Sequence, residues 1–214
     1  FIHNPKTAGT SFRVRLYDSI GQKNVYWQNI DGNIDNDFKE YGVNYFDKYK
    51  VIGGHFNFGN NFLHKLNGKK IFFSIIRKPI EQTISHLKFI INKKDHPYHI
   101  SAKNFYNKLS VDNNFKKFMT NLQCRYIGDS NSAEVVIENL SKSQYSLYKM
   151  EDIEQFNKDV SELLNISYSP LPQENVDTSD ISINLKLKSR IRKFITEDEK
   201  LYNLIRSPMY FKQN

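Results

Sequence analysis

The sequence predicts an α/β domain of three layers, α/β/α, around a central parallel sheet. Three observations carry that expectation. Short apolar, β-branched or aromatic runs bounded by turn residues, at 51–54 and 70–76 (KIFFSII), read as buried strands. Longer stretches place apolar residues at helical spacing. The two kinds alternate along the chain, which puts helices over both faces of a mainly parallel sheet. A length of 214 residues suits one domain spanning 1–214.

The elements follow in order. Residues 1–3 read as the tail of a strand and 10–20 as a helix. After the strands at 51–54 and 70–76, residues 79–92 read as a helix. Pro79 takes its first position, where a missing N–H is harmless. Further helices are expected at 101–109, 113–122 and 133–140, then a strand at 145–150. In 151–164, Ile153, Phe156, Val160, Leu163 and Leu164 fall at helical spacing. Residues 168–180, with two prolines, read as a loop. Two helices close the chain, the second opening on Thr196-x-x-Glu199, a capping-box pattern. Ligands of such sheets sit beyond the carboxyl ends of the strands.

Composition narrows the partners. The formal net charge is +8 and the isoelectric point about 9.3, which favours a polyanion, a nucleotide, a membrane surface or an acidic polysaccharide. The basic residues are dispersed rather than gathered with aromatics on one face, which argues against a nucleic-acid module. The single cysteine, Cys124, permits no internal disulfide and no cysteine-based zinc site, and it reads as a small buried hydrophobe. No apolar stretch approaches the roughly 20 residues of a membrane span. The chain opens at Phe1 inside a strand-like segment and is read as trimmed. The composition and the lack of cysteine pairs point to a bacterial source and the cytoplasm, or to the Golgi lumen for a eukaryotic chain.

Two segments carry chemistry. The first is Asn4-Pro5-Lys6-Thr7-Ala8-Gly9-Thr10-Ser11, between a strand and a helix. A helix N-terminus offers unpaired N–H groups and a partial positive charge. Gly9 lets backbone approach an anion closely. Thr10 and Ser11 add hydroxyls, and Lys6 adds a full charge. This is a place for a phosphate or sulfate group. It is not the GxxxxGK(S/T) loop of nucleoside triphosphatases, because the lysine comes first and only one glycine is present. A nucleotide kinase on a similar fold would need that loop and a magnesium-binding carboxylate, and neither is evident.

P-K-T-A-G-T-S after a strand closely resembles the 5′-phosphosulfate loop of the sulfotransferases that use 3′-phosphoadenosine 5′-phosphosulfate (PAPS). The resemblance implies the P-loop-kinase-like sulfotransferase fold. It also implies that Lys6, Thr7, Ala8, Gly9, Thr10 and Ser11 hold the 5′-phosphate, with Lys6 at the oxygen that leaves.

In the second segment Arg77 ends a strand and Ser85 lies about two turns into the next helix. Arginine suits bidentate capture of a phosphate. A strand followed by R-x-P-x-x-x-x-x-S resembles the 3′-phosphate site of the same family, which implies that role for Arg77 and Ser85. Many carbohydrate members carry an acid after the arginine and a basic residue four positions later. Here those positions hold Lys78 and Gln82.

Sulfation of an alcohol also needs a base, and histidine is the usual agent near neutral pH. Of six histidines, His55 follows the strand at 51–54 in Gly53-Gly54-His55-Phe56-Asn57-Phe58. The stretch resembles G-H-x-x-(F/Y) of the Golgi-type carbohydrate sulfotransferases, notably the heparan and dermatan sulfate 2-O-sulfotransferases, which implies His55 as base. Those enzymes have a second histidine two residues earlier, where this chain has Gly53, so one histidine serves or a carboxylate assists. His3 reads as structural. His86 could line the site. His64, His96 and His99 read as surface residues. Asn121-Leu122-Gln123-Cys124-Arg125-Tyr126 resembles an N-x-Q-x-R-Y segment of the same group. It implies Arg125 at the 3′-phosphate or the acceptor and Tyr126 near the adenine. Glu174-Asn175 resembles the region that closes over the nucleotide. The basic residues near 142–149 and 186–193 read as solvated faces. The expected activity is sulfuryl transfer from PAPS to a hydroxyl of an acceptor, a carbohydrate, with no metal.

Overall fold

A computed structural model describes residues 1–99, 104, 108, 111–173 and 184–212. The helix expected at 101–109 falls largely outside the described residues, and Glu174-Asn175 wholly so.

Strand β1 (Val25–Trp27) pairs in parallel with β2 (Val51–Gly53). Strand β3 (Phe72–Ile76) pairs in parallel with β4 (Tyr145–Lys149), and β4 pairs antiparallel with β5 (Met209–Phe211). The first residues of the chain join these two ladders. Ile2 bridges Gly54 in parallel, and its N–H donates to the Phe73 carbonyl at 2.9 Å. The His3 N–H donates to the Gly54 carbonyl at 2.9 Å. The spatial order is therefore β1, β2, segment 1–3, β3, β4, β5. The expected parallel sheet is present, with β5 as an antiparallel edge.

Side chains alternate across this sheet, as strand geometry requires. On one face, Phe73 and Ile75 of β3, Tyr148 of β4 and Trp27 of β1 meet two helices. These are α1 (Gly9–Ile20), through Phe12 and Leu16, and a later helix, Ile153–Leu164, through Phe156 and Val160. On the other face lie Phe72, Ile76, Tyr145, Leu147 and Tyr26. They pack against α2 (Ile34–Tyr41), α3 (Asn61–Lys65) and the helices Leu122–Gly128, Ala133–Ser141 and Thr196–Leu204. The three layers follow from these contacts. A separate apolar cluster joins α4 (Pro79–Asn92), α5 (Asn113–Met119) and the helix Leu185–Arg192. In chain order the remaining helices are α6 (Leu122–Gly128), α7 (Ala133–Ser141), α8 (Ile153–Leu164), α9 (Leu185–Arg192) and α10 (Thr196–Leu204).

Several expectations need correction. The helix expected at 113–122 breaks at Thr120–Asn121, where Asn121 has φ 41°, so α5 and α6 are separate. Asn121 makes no side-chain cap for α6; the Asp198 carboxylate, brought from α10, accepts from the Gln123 and Cys124 N–H groups instead. The capping box at Thr196 does not form, because Ile195 is the cap residue; Asn121 Oδ1, from the break before α6, accepts from the Glu197 N–H at 3.2 Å instead. Elements β1, α2, α3 and β5 lie in stretches for which the sequence raised no expectation. Cys124 is buried. Among the described residues no helix is long and apolar enough to cross a membrane.

Segment 1–3, β2 and β3 run parallel and side by side, so their carboxyl ends share one edge. Loop 4–8, His55 and Arg77 follow those three ends directly.

Candidate active site

The loop between His3 and α1 is an irregular turn with two non-glycine residues at positive φ, Lys6 at 67° and Ala8 at 59°. Such conformations cost roughly 1–3 kcal/mol each and persist where the surroundings impose them. Three side chains do so here. The Thr7 hydroxyl donates to the Asn4 carbonyl at 2.7 Å. Buried Gln82 of α4 donates from Nε2 to the Pro5 carbonyl at 3.0 Å. Buried Asn4 donates from Nδ2 to Gln123 Oε1 at 2.9 Å. At the start of α1 the cap residue Ala8 lacks a side-chain acceptor. A helix start of this kind, approached through a turn, concentrates N–H donors suited to an anion.

Gln123 reaches further. Its Oε1 also accepts from the Arg77 N–H at 2.9 Å, and its Nε2 donates to the Arg77 carbonyl at 2.9 Å. One buried amide therefore fixes both loop 4–8 and the end of β3. The Arg77 guanidinium stays half-buried, with Glu81 at 3.4 Å. Ser85 is half-buried on α4, two turns from the start of that helix. Lys6 has its Nζ 5.0 Å from the centre of the Phe89 ring.

His55 is exposed at the edge of the sheet, yet protein on several sides desolvates it enough to hold its pKa below the ordinary 6.5, against a smaller raising effect of its backbone hydrogen bond. Its Nδ1 lies 2.9 Å from the His3 carbonyl oxygen. A carbonyl only accepts, so Nδ1 carries the proton and Nε2 keeps the lone pair. The neutral ring is thus presented as a base. Nε2 has no protein partner among the described residues.

His3 is the hub between loop and base. Its ring stacks on His55 with centroids 4.1 Å apart. A Cβ on Gly9 would fall 2.0 Å from its Nε2. Glycine is thus required at position 9 for this packing, in a helix start without positive φ. Burial first, then the charges of His55 and Lys6, hold the His3 pKa well below 6.5. Its Nδ1 is buried without a partner among the described residues. His86 is buried, and neither ring nitrogen has a partner among the described residues. Desolvation lowers its pKa to about 3, with smaller contributions from His96, His55 and Lys6.

Arg125 directs Nε to the Thr120 carbonyl at 2.9 Å and Nη2 to the Phe118 carbonyl at 2.7 Å, so it braces the end of α5. It also lines a cavity of about 270 Å³ with Tyr126, whose ring lies 6.1 Å from that of His55. A second cavity, of about 350 Å³, is bordered by His55 itself. Among the described residues no group of three or more His, Cys, Asp or Glu side chains is placed to hold a metal ion.

The structure thus gathers loop 4–8, the start of α1, His55 and Arg77 at one edge. The sequence did not single out Asn4, Gln123 or His3 as the pieces that tie them, nor give a role to Gln82. For Gln123 a signal existed, since it sits inside the N-x-Q-x-R-Y segment. Gln82 occupies the position where the resemblance implied a basic residue, and it serves the loop instead.

No family model and no curated protein matches the chain. Among solved structures, mouse sulfotransferase SULT7A1 complexed with PAP is similar over 96% of this chain, at 14% identity and a TM-score of 0.43. The chain spans 66% of that protein's length, just under two thirds.

Proposed function

We propose that the chain is a PAPS-dependent sulfotransferase acting on a carbohydrate hydroxyl. The observation that carries this reading is the Gln123 amide, which bonds loop 4–8 and Arg77 together. The two segments that resemble the 5′- and 3′-phosphate sites are thereby one rigid unit.

The residues fit the group on their own chemistry. The α1 start without a side-chain cap and Lys6 would hold the 5′-phosphosulfate, with Thr7 braced inward and Thr10 and Ser11 in the first turn. Arg77 and Ser85 would hold the 3′-phosphate. When bound, PAPS supplies the sulfuryl group, whose bond to the bridging oxygen breaks as a bond to the acceptor oxygen forms. Lys6 and the loop N–H groups would stabilise the charge left on the departing phosphate. His55 Nε2 takes the proton of the acceptor hydroxyl, while Nδ1–H stays on the His3 carbonyl and stabilises the imidazolium.

Thermal unfolding with adenosine 3′,5′-bisphosphate, ATP and an oligonucleotide tests this. The bisphosphate should stabilise the fold by about 2.7 kcal/mol at a hundred times its Kd. A larger shift with ATP would favour a kinase, and no shift with the bisphosphate removes the proposal.

A further inference from the structure

The cavity beside His55 has the opposite charge character to the loop. Gln28, Asp35, Asn57, Asn60 and Asp129 line it together with the imidazole. In a chain of net charge +8, the fixed charges of this cavity are two carboxylates. Neither has a cationic partner among the described residues. Asp35 accepts only from the Asn60 amide at 3.4 Å, and Asp129 from the Asn57 amide at 3.3 Å, both long bonds.

A second observation points to a ligand. Gln28 is 9% exposed. Its Oε1 accepts from the Ile34 N–H at 2.7 Å, while its Nε2 has no protein partner among the described residues. The residue is nine-tenths buried and its Oε1 is fixed by Ile34, so the Nε2 donors are held at the cavity wall, open to an acceptor on a ligand. The adjoining cavity shares Asn57 and Asp129 and adds the Tyr126 and Phe118 rings. Carboxylates that accept, amides that donate and aromatic faces match the hydroxyls and ring faces of a sugar.

We infer that this cavity is the acceptor subsite, and that it takes an uncharged polyhydroxylated sugar and rejects uronates and sulfated units. The inference rests on the proposed transfer reaction and narrows its substrate. It runs against the acidic polysaccharides acted on by the enzymes that the His55 segment resembles. Sugar hydroxyls would donate to Asp35 and Asp129 and accept from Gln28 Nε2, leaving one hydroxyl at His55. An acceptor carboxylate would stand beside two uncompensated carboxylates, a like-charge contact that penalises binding.

Saturation-transfer NMR at neutral pH tests this, with methyl glycosides of glucose, galactose and N-acetylglucosamine against methyl glucuronoside and galacturonoside. Neutral glycosides should give the stronger transfer, with affinities at least about tenfold above the uronosides. The Asp35→Asn, Asp129→Asn double variant changes two exposed residues and should close that gap by admitting the uronosides. Uronosides that bind as well as neutral sugars, a gap that survives the double variant, or no binding of any glycoside would overturn the inference. The readout needs neither PAPS nor turnover. Neutral glycosides bound by a protein that ignores adenosine 3′,5′-bisphosphate would therefore keep the sugar subsite and remove the transfer reaction.

Discussion

Replacing Gln123 by alanine removes a side chain that bonds both phosphate-site segments. Three partners lose it: the Arg77 N–H, the Arg77 carbonyl and the Asn4 amide, each at 2.9 Å. Asn4 is fully buried and Gln123 only 1% exposed, so water cannot replace every bond. An orphaned buried group costs about 1–3 kcal/mol. With partial relaxation, the variant should lose roughly 3–5 kcal/mol of stability. The loop would also lose its preset shape, so affinity for adenosine 3′,5′-bisphosphate should fall about 10- to 100-fold. Gln123→Met fills a similar volume without polar atoms and should lose nearly as much, which separates bonding from packing. Urea unfolding measures the first effect and calorimetric titration the second. A stability loss below about 1 kcal/mol would refute the bonding argument. A large loss with unchanged nucleotide affinity would refute the coupling between the two segments.

Four other outcomes follow from the same geometry. Arg77→Ala should weaken adenosine 3′,5′-bisphosphate binding by about 1.5–3 kcal/mol with little effect on melting. Its backbone bonds to Gln123 persist, and its exposed pair with Glu81 contributes little. Normal binding by the variant would make Arg77 structural. His55→Ala and His55→Asn should each reduce turnover by roughly 10²–10⁴-fold while leaving that binding near normal. In the wild type, kcat/KM should fall only as acid protonates His55, with a midpoint below 6.5 because its pKa is lowered; a midpoint well above 7 would sink the assignment. His86 has its folded pKa depressed from 6.5 to about 3, so its contribution is intact above pH 6.5 and is lost as pH falls towards 3. At 1.36 kcal/mol per unit this is on the order of 5 kcal/mol. His86→Leu should flatten the acid limb of a pH-dependent unfolding series and leave neutral stability unchanged or higher, and an unaltered limb would contradict it.

The layered fold was readable in the sequence because alternating buried runs and helical spacing are local signals. Strand β3 and helix α4 are clear cases, one an apolar run interrupted only by Ser74 and the other opened by Pro79. The three-residue strands β1 and β5 are too short to show a period, and neighbouring strands decide their pairing. The break at Asn121 was hidden because the apolar pattern continues through it. The cap for α6 comes from Asp198, 74 residues from Cys124, and no local pattern encodes that. At the site, Lys6, Arg77 and His55 were visible as residue types at strand ends. The His3–His55 stack was not, because segment 1–3 meets Gly54 only across the sheet. Gly53 stands where the resemblance placed a second histidine; the fold instead brings His3 beside His55 from the adjacent strand.

The most direct test is a titration of ¹⁵N-labelled protein with adenosine 3′,5′-bisphosphate, followed by amide chemical shifts. Shifts should concentrate on residues 6–11, Arg77 and Ser85, weaken sharply in Lys6→Ala, and extend to Gln123 through its bonds to Arg77 and Asn4. A titration that leaves loop 4–8 and Arg77 unmoved, or moves only the basic face of α9, would contradict the account.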